Sequence, residues 1–387
     1  MKKYDVTFVL PGISIKFPPG GYDVVYRLCS AMNESDLKCA IVFQMDASLY
    51  IPNYVRNNEY TESRGLFSKL FYEFFYGKRL NYIYKHWEFI NKLLFRTDYN
   101  YNILKNTNCY LYRDIEDIEF RTGLIIATAW QTAYFVREYC IKNKDVKPLY
   151  LIQNSEDDFS FSGINSNNAK ETYSFPFKKI VINRNLYNRF KADDPLFMHV
   201  GIDTDFYRLI NTIEGRNTIT FPLRKDNSKG AKYAMETIEK LLTAKSIKQI
   251  VAFGDFLPSE IPNSIKGKIK YYYLPTRKTL LKIYNESSIF VLPSIVEGMP
   301  LPPLEAMSCG SAVVVTDNGG VNEYIQNEYN GLICPIKDSN CLFEKIMCLV
   351  NDEKLRLKLV RNGIETAGSY SYYEMAKYFI DMVKIYF

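Results

Sequence analysis

The sequence predicts an α/β protein built from two Rossmann-like, doubly wound halves, and three observations carry that expectation. Short apolar runs rich in β-branched and aromatic residues alternate with stretches of helical period, the rhythm of parallel sheets covered by helices. The runs end in glycine, proline or polar clusters, as strands feeding loops do. The chain has 387 residues, which fits two domains of ordinary size.

The elements follow in order. Residues 6–10 form a strand that Pro11 and Gly12 end, and Pro18, Pro19, Gly20 and Gly21 make a loop. A helix with Val24, Val25, Leu28 and Met32 on one side leads to a strand at 39–43. Further buried-strand runs lie at 124–127, 149–152 and 179–182. The second half repeats the alternation, with strands at 218–221, 250–253, 288–292 and 311–316. Helices are expected between them at 231–242, 279–287 and 302–309, the last opening on Pro302 with Gly310 past its end. The expected division is an N-terminal domain over 1–207, a C-terminal domain over 208–368, and a last helix over 369–387 packing back on the N-terminal domain. An aromatic, basic stretch at about 66–104 breaks the rhythm of the first half and reads as a helical insertion.

Composition narrows the function classes. With 47% apolar and 24% charged residues the chain is neither disordered nor fibrous. A formal net charge of +6 is too mild to argue for nucleic acid. No apolar run is long enough to span a membrane, and a strand begins too early for a signal peptide, so the expected location is the cytoplasm. Eight cysteines without a C-x-x-C pair read as free thiols. Only two histidines, His86 and His199, are present, which leaves no His cluster for zinc; no metal ligand is expected.

The sharpest motif is Glu297-Gly-Met-Pro-Leu-Pro-Pro-Leu-Glu305, between a strand and a helix, where open α/β sheets place ligands. Backbone N–H groups of Gly298, Met299 and Leu301, with Pro300 in the same loop, form an expected anion site at the helix start. Glu305, expected in the first helical turn, suits hydrogen bonds from sugar hydroxyls better than general-base work. Glu297, at the strand end, is a second hydroxyl acceptor. Arg224 and Lys229 flank a polar loop after an earlier strand.

These segments resemble the GT-B glycosyltransferases, specifically the retaining family 4 with its E-x7-E motif. Arg224 and Lys229 are similar to the family's diphosphate-binding pair, Gly20 and Gly21 to its glycine loop near the donor phosphates, and Gly319-Gly320-Val-Asn-Glu323 to its G-G-x-x-E turn. The residues from Gly201 to Phe206 resemble the turn that closes the N-terminal domain. The resemblance implies two Rossmann-like domains facing a central cleft, a nucleotide-diphosphate sugar as donor, and no cofactor or metal. It also implies retention of configuration, with a phosphate oxygen taking the acceptor proton. Glu297, Arg224 and Lys229 would then be catalytic; Tyr272, Tyr273 and Leu274 are expected at the base from their position after a strand.

The acceptor side is expected at Trp130, Gln153 and Glu156, which follow strands of the first half. Around them the chain resembles rhamnosyltransferases of polyrhamnan and O-antigen assembly, although Trp130 also reads as core. The implied acceptor is a saccharide or lipid-linked saccharide of a cell-surface polysaccharide or glycolipid. Between 66 and 96, Phe67, Leu70, Phe71, Phe74 and Phe75 are interleaved with Lys69, Lys78, Arg79, Lys85 and Lys92. That pattern fits either a peripheral contact with anionic headgroups on the inner face of the membrane or a helix packed on the sheet. Two other functions stay open: a nucleotide-sugar 2-epimerase, and a non-catalytic nucleotide-sugar-binding protein.

Overall fold

A computed structural model describes residues 2–12, 20–44, 103–104, 106–112, 115, 118–157 and 166–386. Apart from residues 103–104, the expected insertion lies outside them, as does the whole 66–96 stretch. The described chain forms two compact units.

The first unit comprises Met1–Val181, Leu186–Met198 and Ala376–Phe387. Its sheet is made of β1 (Lys2–Leu10), β2 (Cys39–Gln44), β3 (Asn108–Tyr112), β4 (Phe120–Ala127), β5 (Lys147–Ile152), β6 (Lys178–Val181) and β7 (Leu196–Phe197). The strands are all parallel and ordered β3-β2-β1-β4-β5-β6-β7. Helices α1 (Gly20–Glu34), α2 (Trp130–Lys142), α3 (Ser166–Tyr173) and α4 (Arg184–Arg189) accompany them, the first two residues of α4 falling in the second unit. Gly20 and Gly21 open α1 rather than forming the loop before it.

The second unit comprises Ile182–Asn185 and His199–Met375. Its strands are β8 (Thr218–Leu223), β9 (Gln249–Gly254), β10 (Lys270–Tyr273), β11 (Ser287–Leu292), β12 (Ala312–Thr316) and β13 (Leu332–Cys334), again all parallel, in the order β10-β9-β8-β11-β12-β13. The helices are α5 (Ala231–Leu241), α6 (Arg277–Glu286), α7 (Leu301–Ser308), α8 (Ser339–Asn351), α9 (Glu353–Gly368) and α10 (Tyr372–Lys384). Strands β8, β11 and β12 are buried along their whole length, which explains why they read as continuous apolar runs. Ala234, Ile238 and Leu241, at helical spacing on α5, pack with Ile219, Phe221 and Val291 in one core.

In both sheets the first strand lies inside and the order reverses beside it, at β1/β4 and at β8/β11. That reversal opens a crevice outside the carboxyl ends of the strands. Helix α7 starts at Leu301, ahead of the expected Pro302, because prolines in a first turn remove N–H groups that have no intrahelical acceptor. Helices α8 and α9 begin on Asp338 and Asp352, whose carboxylates accept N–H bonds from Cys341 and Leu355. The long segment of the second unit starts at His199, and within it Ile202 exchanges backbone bonds of 2.7 and 2.9 Å with Tyr370 and Tyr372.

The last helix is shared: Tyr372–Met375 count with the second unit and Ala376–Phe387 with the first. In the first unit Phe379 is fully buried and stacks on Phe8 of β1, with ring centroids 5.8 Å apart. Lys147 Nζ donates to the Tyr386 carbonyl at 2.6 Å. Phe379→Ala should therefore destabilise the chain by about 3–5 kcal/mol, the usual cost of emptying a buried aromatic site. Urea denaturation measures it, and an unchanged midpoint would show that this residue is not part of the core.

Candidate active site

The site is built at the β8/β11 reversal of the second unit. After β8 the chain makes a 3-10 turn, Asn227–Lys229, fixed by Asp226, whose carboxylate accepts from Ser228 N at 2.8 Å and Oγ at 2.7 Å. After β11 the chain runs through residues 293–300 before α7. The two loops touch: the Ile295 N–H donates to the Ser228 carbonyl at 2.7 Å. Gly230, at φ +67°, makes this approach possible, since a Cβ there would lie 1.9 Å from the Pro293 carbonyl oxygen.

This contact brings Lys229 and Glu297 together, with Nζ 2.8 Å from Oε2. Ser294 Oγ donates to the other carboxylate oxygen at 2.8 Å. Their side chains are 32% and 14% exposed, so the pair faces outward from a partly desolvated position. Arg224, at the carboxyl end of β8, is 57% exposed, and its Nε lies 3.2 Å from Asp255 Oδ2. Asp255 follows β9 and also accepts the Lys225 N–H at 2.8 Å, which fixes where the loop leaves the sheet.

The loop from Glu297 to Leu301 has its own supports. Glu297 N–H donates to the Asn318 carbonyl at 3.0 Å. Asn183 Nδ2 donates to the Gly298 carbonyl at 2.7 Å, and Tyr324 Oη to the Pro300 carbonyl at 2.6 Å. Among the described residues the N–H groups of Gly298, Met299 and Leu301 donate to nothing, although Gly298 and Met299 are buried residues. N–H groups left without an acceptor at a helix start are able to hold an anion. Pro302 and Pro303 add no N–H, so Leu301 supplies the helical share.

Glu305 falls in the second turn of α7, not the first, because the helix begins at Leu301. Its Oε2 accepts from Tyr284 Oη at 3.0 Å, and Tyr284 is buried in α6. Burial, reinforced by the Glu305 charge, pushes the Tyr284 hydroxyl well up, so it remains a donor. Two strands from β8, Tyr273 ends β10 with 42% exposure. Leu274 follows in a left-handed conformation, φ +45°, tied by its N–H to the Gly254 carbonyl at 2.8 Å. A leucine there is strained, and strain of this kind collects at functional edges. Among the described residues no three His, Cys, Asp or Glu side chains cluster as metal ligands would, and the eight cysteines are free thiols.

In the first unit, Gln153 after β5 lies against Gly21, with its Nε2 3.4 Å from the Gly21 carbonyl. Trp130 belongs to the core: it is 1% exposed, the first residue of α2, and packs edge-on against Tyr134, so it offers a saccharide no face. Glu156 holds the start of that helix, accepting from the Trp130 N–H at 2.8 Å and from Tyr150 Oη at 2.9 Å. It stands in for the side-chain cap that Ala129 lacks.

Residues 203–366 match the model of the glycosyl transferases group 1. The chain is 32% identical over 212 residues to the N,N'-diacetylbacillosaminyl-diphospho-undecaprenol alpha-1,3-N-acetylgalactosaminyltransferase of Campylobacter jejuni, a stretch covering 54% of this chain and 56% of that protein. It is 31% identical over 139 residues to the UDP-Gal:alpha-D-GlcNAc-diphosphoundecaprenol alpha-1,3-galactosyltransferase of Escherichia coli, covering 35% of this chain and 36% of that one. The matches thus span about half, or less, of these relatives. Across the whole chain the fold is similar to sucrose-phosphate synthase from Thermosynechococcus elongatus, with a TM-score of 0.67 and 14% identity over 100% of this chain and 98% of that one. Anabaena HepE in complex with UDP gives a TM-score of 0.69 and 12% identity over 98% and 99%. The fold is that of the GT-B glycosyltransferases.

Sequence reasoning missed Asp255, Asn183, Asn318 and Tyr324. Asp255 carries a local signal, an acid directly after a strand-ending glycine. The others act from distant segments and carry none.

Burial, opposed by its two hydrogen bonds, pushes the Glu156 carboxyl up to about 7. The folded chain then binds a proton that the unfolded chain has lost between the ordinary carboxylate range and pH 7. Stability from this group is full at low pH and is lost as pH rises through about 7. Glu156→Gln should gain about 2 kcal/mol on wild type between pH 5 and pH 8 in urea unfolding; a difference that does not change with pH would contradict the raised value.

Proposed function

We propose that this chain is a glycosyltransferase that moves a sugar from a nucleotide-diphosphate sugar to a lipid-linked saccharide in cell-surface glycan synthesis. The observation that carries the reading is the Lys229–Glu297 pair beside the undonated N–H groups of Gly298, Met299 and Leu301. A diphosphate leaving group gathers charge on its oxygens as the glycosidic bond breaks. Lys229 meets that charge as a point cation, Arg224 as a fork, and the backbone N–H groups as fixed dipoles. Glu297 holds Lys229 in place and accepts from a sugar hydroxyl; Glu305, oriented by Tyr284, accepts from the ribose. Tyr273 and Leu274 lie at the base, and Gly20, Gly21, Gln153 and Glu156 belong to the first unit's share of the substrates.

The activities of the similar Campylobacter jejuni and Escherichia coli enzymes support an undecaprenyl-diphosphate-linked acceptor. They favour a galactosyl or N-acetylgalactosaminyl donor over the rhamnosyl transfer that the sequence resembles. Their α linkages are what retention gives from an α-linked nucleotide sugar. A phosphate oxygen of the departing diphosphate takes the acceptor proton, and no protein nucleophile is required. Under the same proposal the 66–96 stretch docks on anionic headgroups, where a lipid-linked acceptor is confined.

Thermal-shift screening against UDP-, GDP- and dTDP-sugars identifies the donor, because a ligand bound only by the folded chain raises its stability with the logarithm of its excess. Transfer to an undecaprenyl-diphosphate-linked saccharide then tests the activity. Arg224→Ala and Lys229→Ala should each lower turnover at least tenfold with the fold intact, about 3 kcal/mol per lost stabilising group. Wild-type rates in both variants would sink the assignment. Since side-chain cations already serve the phosphates, excess EDTA should leave the rate largely unchanged; loss restored by magnesium or manganese would contradict a metal-free site.

A further inference from the structure

We propose that Asn183 and Tyr324 are positioning residues that aim the Met299 and Leu301 N–H groups at the distal phosphate of the donor. The inference rests on the donor reading above and goes beyond it by assigning the devices that set the seat's geometry.

A trans peptide holds its C=O and N–H on opposite sides of one plane, so fixing the oxygen fixes the direction of the hydrogen. Among the described residues no peptide bond is cis. The Gly298 carbonyl is gripped by Asn183 Nδ2 at 2.7 Å, and the N–H of the same peptide belongs to Met299. The Pro300 carbonyl is gripped by Tyr324 Oη at 2.6 Å, and the N–H of that peptide belongs to Leu301. Both grips are dry, since Asn183 is 3% and Tyr324 6% exposed. Burial, with the Glu297 charge adding to it, keeps the Tyr324 phenol far from ionisation, so it remains a donor.

The packing leaves these oxygens little freedom. Gly320 presses on the same carbonyl, where a Cβ would come within 2.5 Å of the Gly298 oxygen and 2.9 Å of the Glu297 oxygen. Asn318 spans the two segments: its carbonyl receives the Glu297 N–H at 3.0 Å, and its Oδ1 receives the Gly320 and Val321 N–H groups at 3.1 and 3.2 Å. Donors that stabilise a developing anion work because they are oriented before the charge arrives. Asn183 and Tyr324 supply that orientation through the Gly298 and Pro300 carbonyls.

The test uses the full chain with Asn183→Ala and Tyr324→Phe, read by calorimetry against UDP, GDP and dTDP and their monophosphates. For the diphosphate that wild type binds, each variant should bind at least fivefold more weakly, with monophosphate affinity within twofold of wild type. A general structural defect would lower both affinities together, and that result would overturn the proposal. With ¹⁵N-labelled methionine and leucine, the Met299 amide response to the diphosphate should shrink in Asn183→Ala and the Leu301 response in Tyr324→Phe. Equal responses in both variants would also overturn it. Wild-type binding that neither variant weakens would remove the clamps alone; a wild type that binds none of the three diphosphates would remove the donor reading, and the clamps with it.

Discussion

The candidate site depends on one close approach, that of the loop after β8 to the loop after β11. The two loops leave neighbouring strands of a parallel sheet, and the sheet alone does not bring their side chains together. Gly230 removes the obstacle at Pro293, the Ser228 carbonyl ties down Ile295, and only then do Lys229 and Glu297 come within 2.8 Å. A cation exposed by a third and a carboxylate exposed by less gain more from each other than surface charges do. Their pairing also keeps either charge from being stranded at the edge of the core.

Topology explains why the approach happens there. In the second sheet the strand order reverses between the parallel neighbours β8 and β11, so the loops after both strands leave the same carboxyl edge, where open α/β sheets place ligands. The first sheet repeats the pattern at β1 and β4, and its polar edge is built differently. There Glu156 caps a helix that starts on alanine, Thr132 Oγ1 accepts the N–H groups of Thr128 and Ala129, and Gln153 rests on Gly21.

The alternation of strands and helices was legible because buried parallel strands are continuous apolar runs and because helix period shows over a dozen residues. The E-x7-E loop and the Arg224–Lys229 loop were legible because each packs its chemistry into a few consecutive residues. Glu305 was misplaced by one helical position, enough to carry it from the first turn into the second, since the helix begins at Leu301 and not at Pro302. Trp130 could be read either as a cleft residue or as core, and its burial against Tyr134 decided for core. Asn183, Asn318 and Tyr324 carry no sequence signal because their roles arise from chain segments that meet only on folding. Short strands such as β7 and β13 were missed for a related reason: two or three residues show no period.

The prolines at 300, 302 and 303 have an entropic consequence. Each fixes one backbone dihedral in the unfolded chain as well as in the folded one, so the segment gives up little freedom on becoming ordered. A loop already stiff before a ligand arrives has less motion to surrender when it closes on an anion, and more of the contact energy is then expressed as affinity. Under the proposed donor reading the same stiffness would narrow the range of ligands, favouring groups whose oxygens match the spacing of the amides.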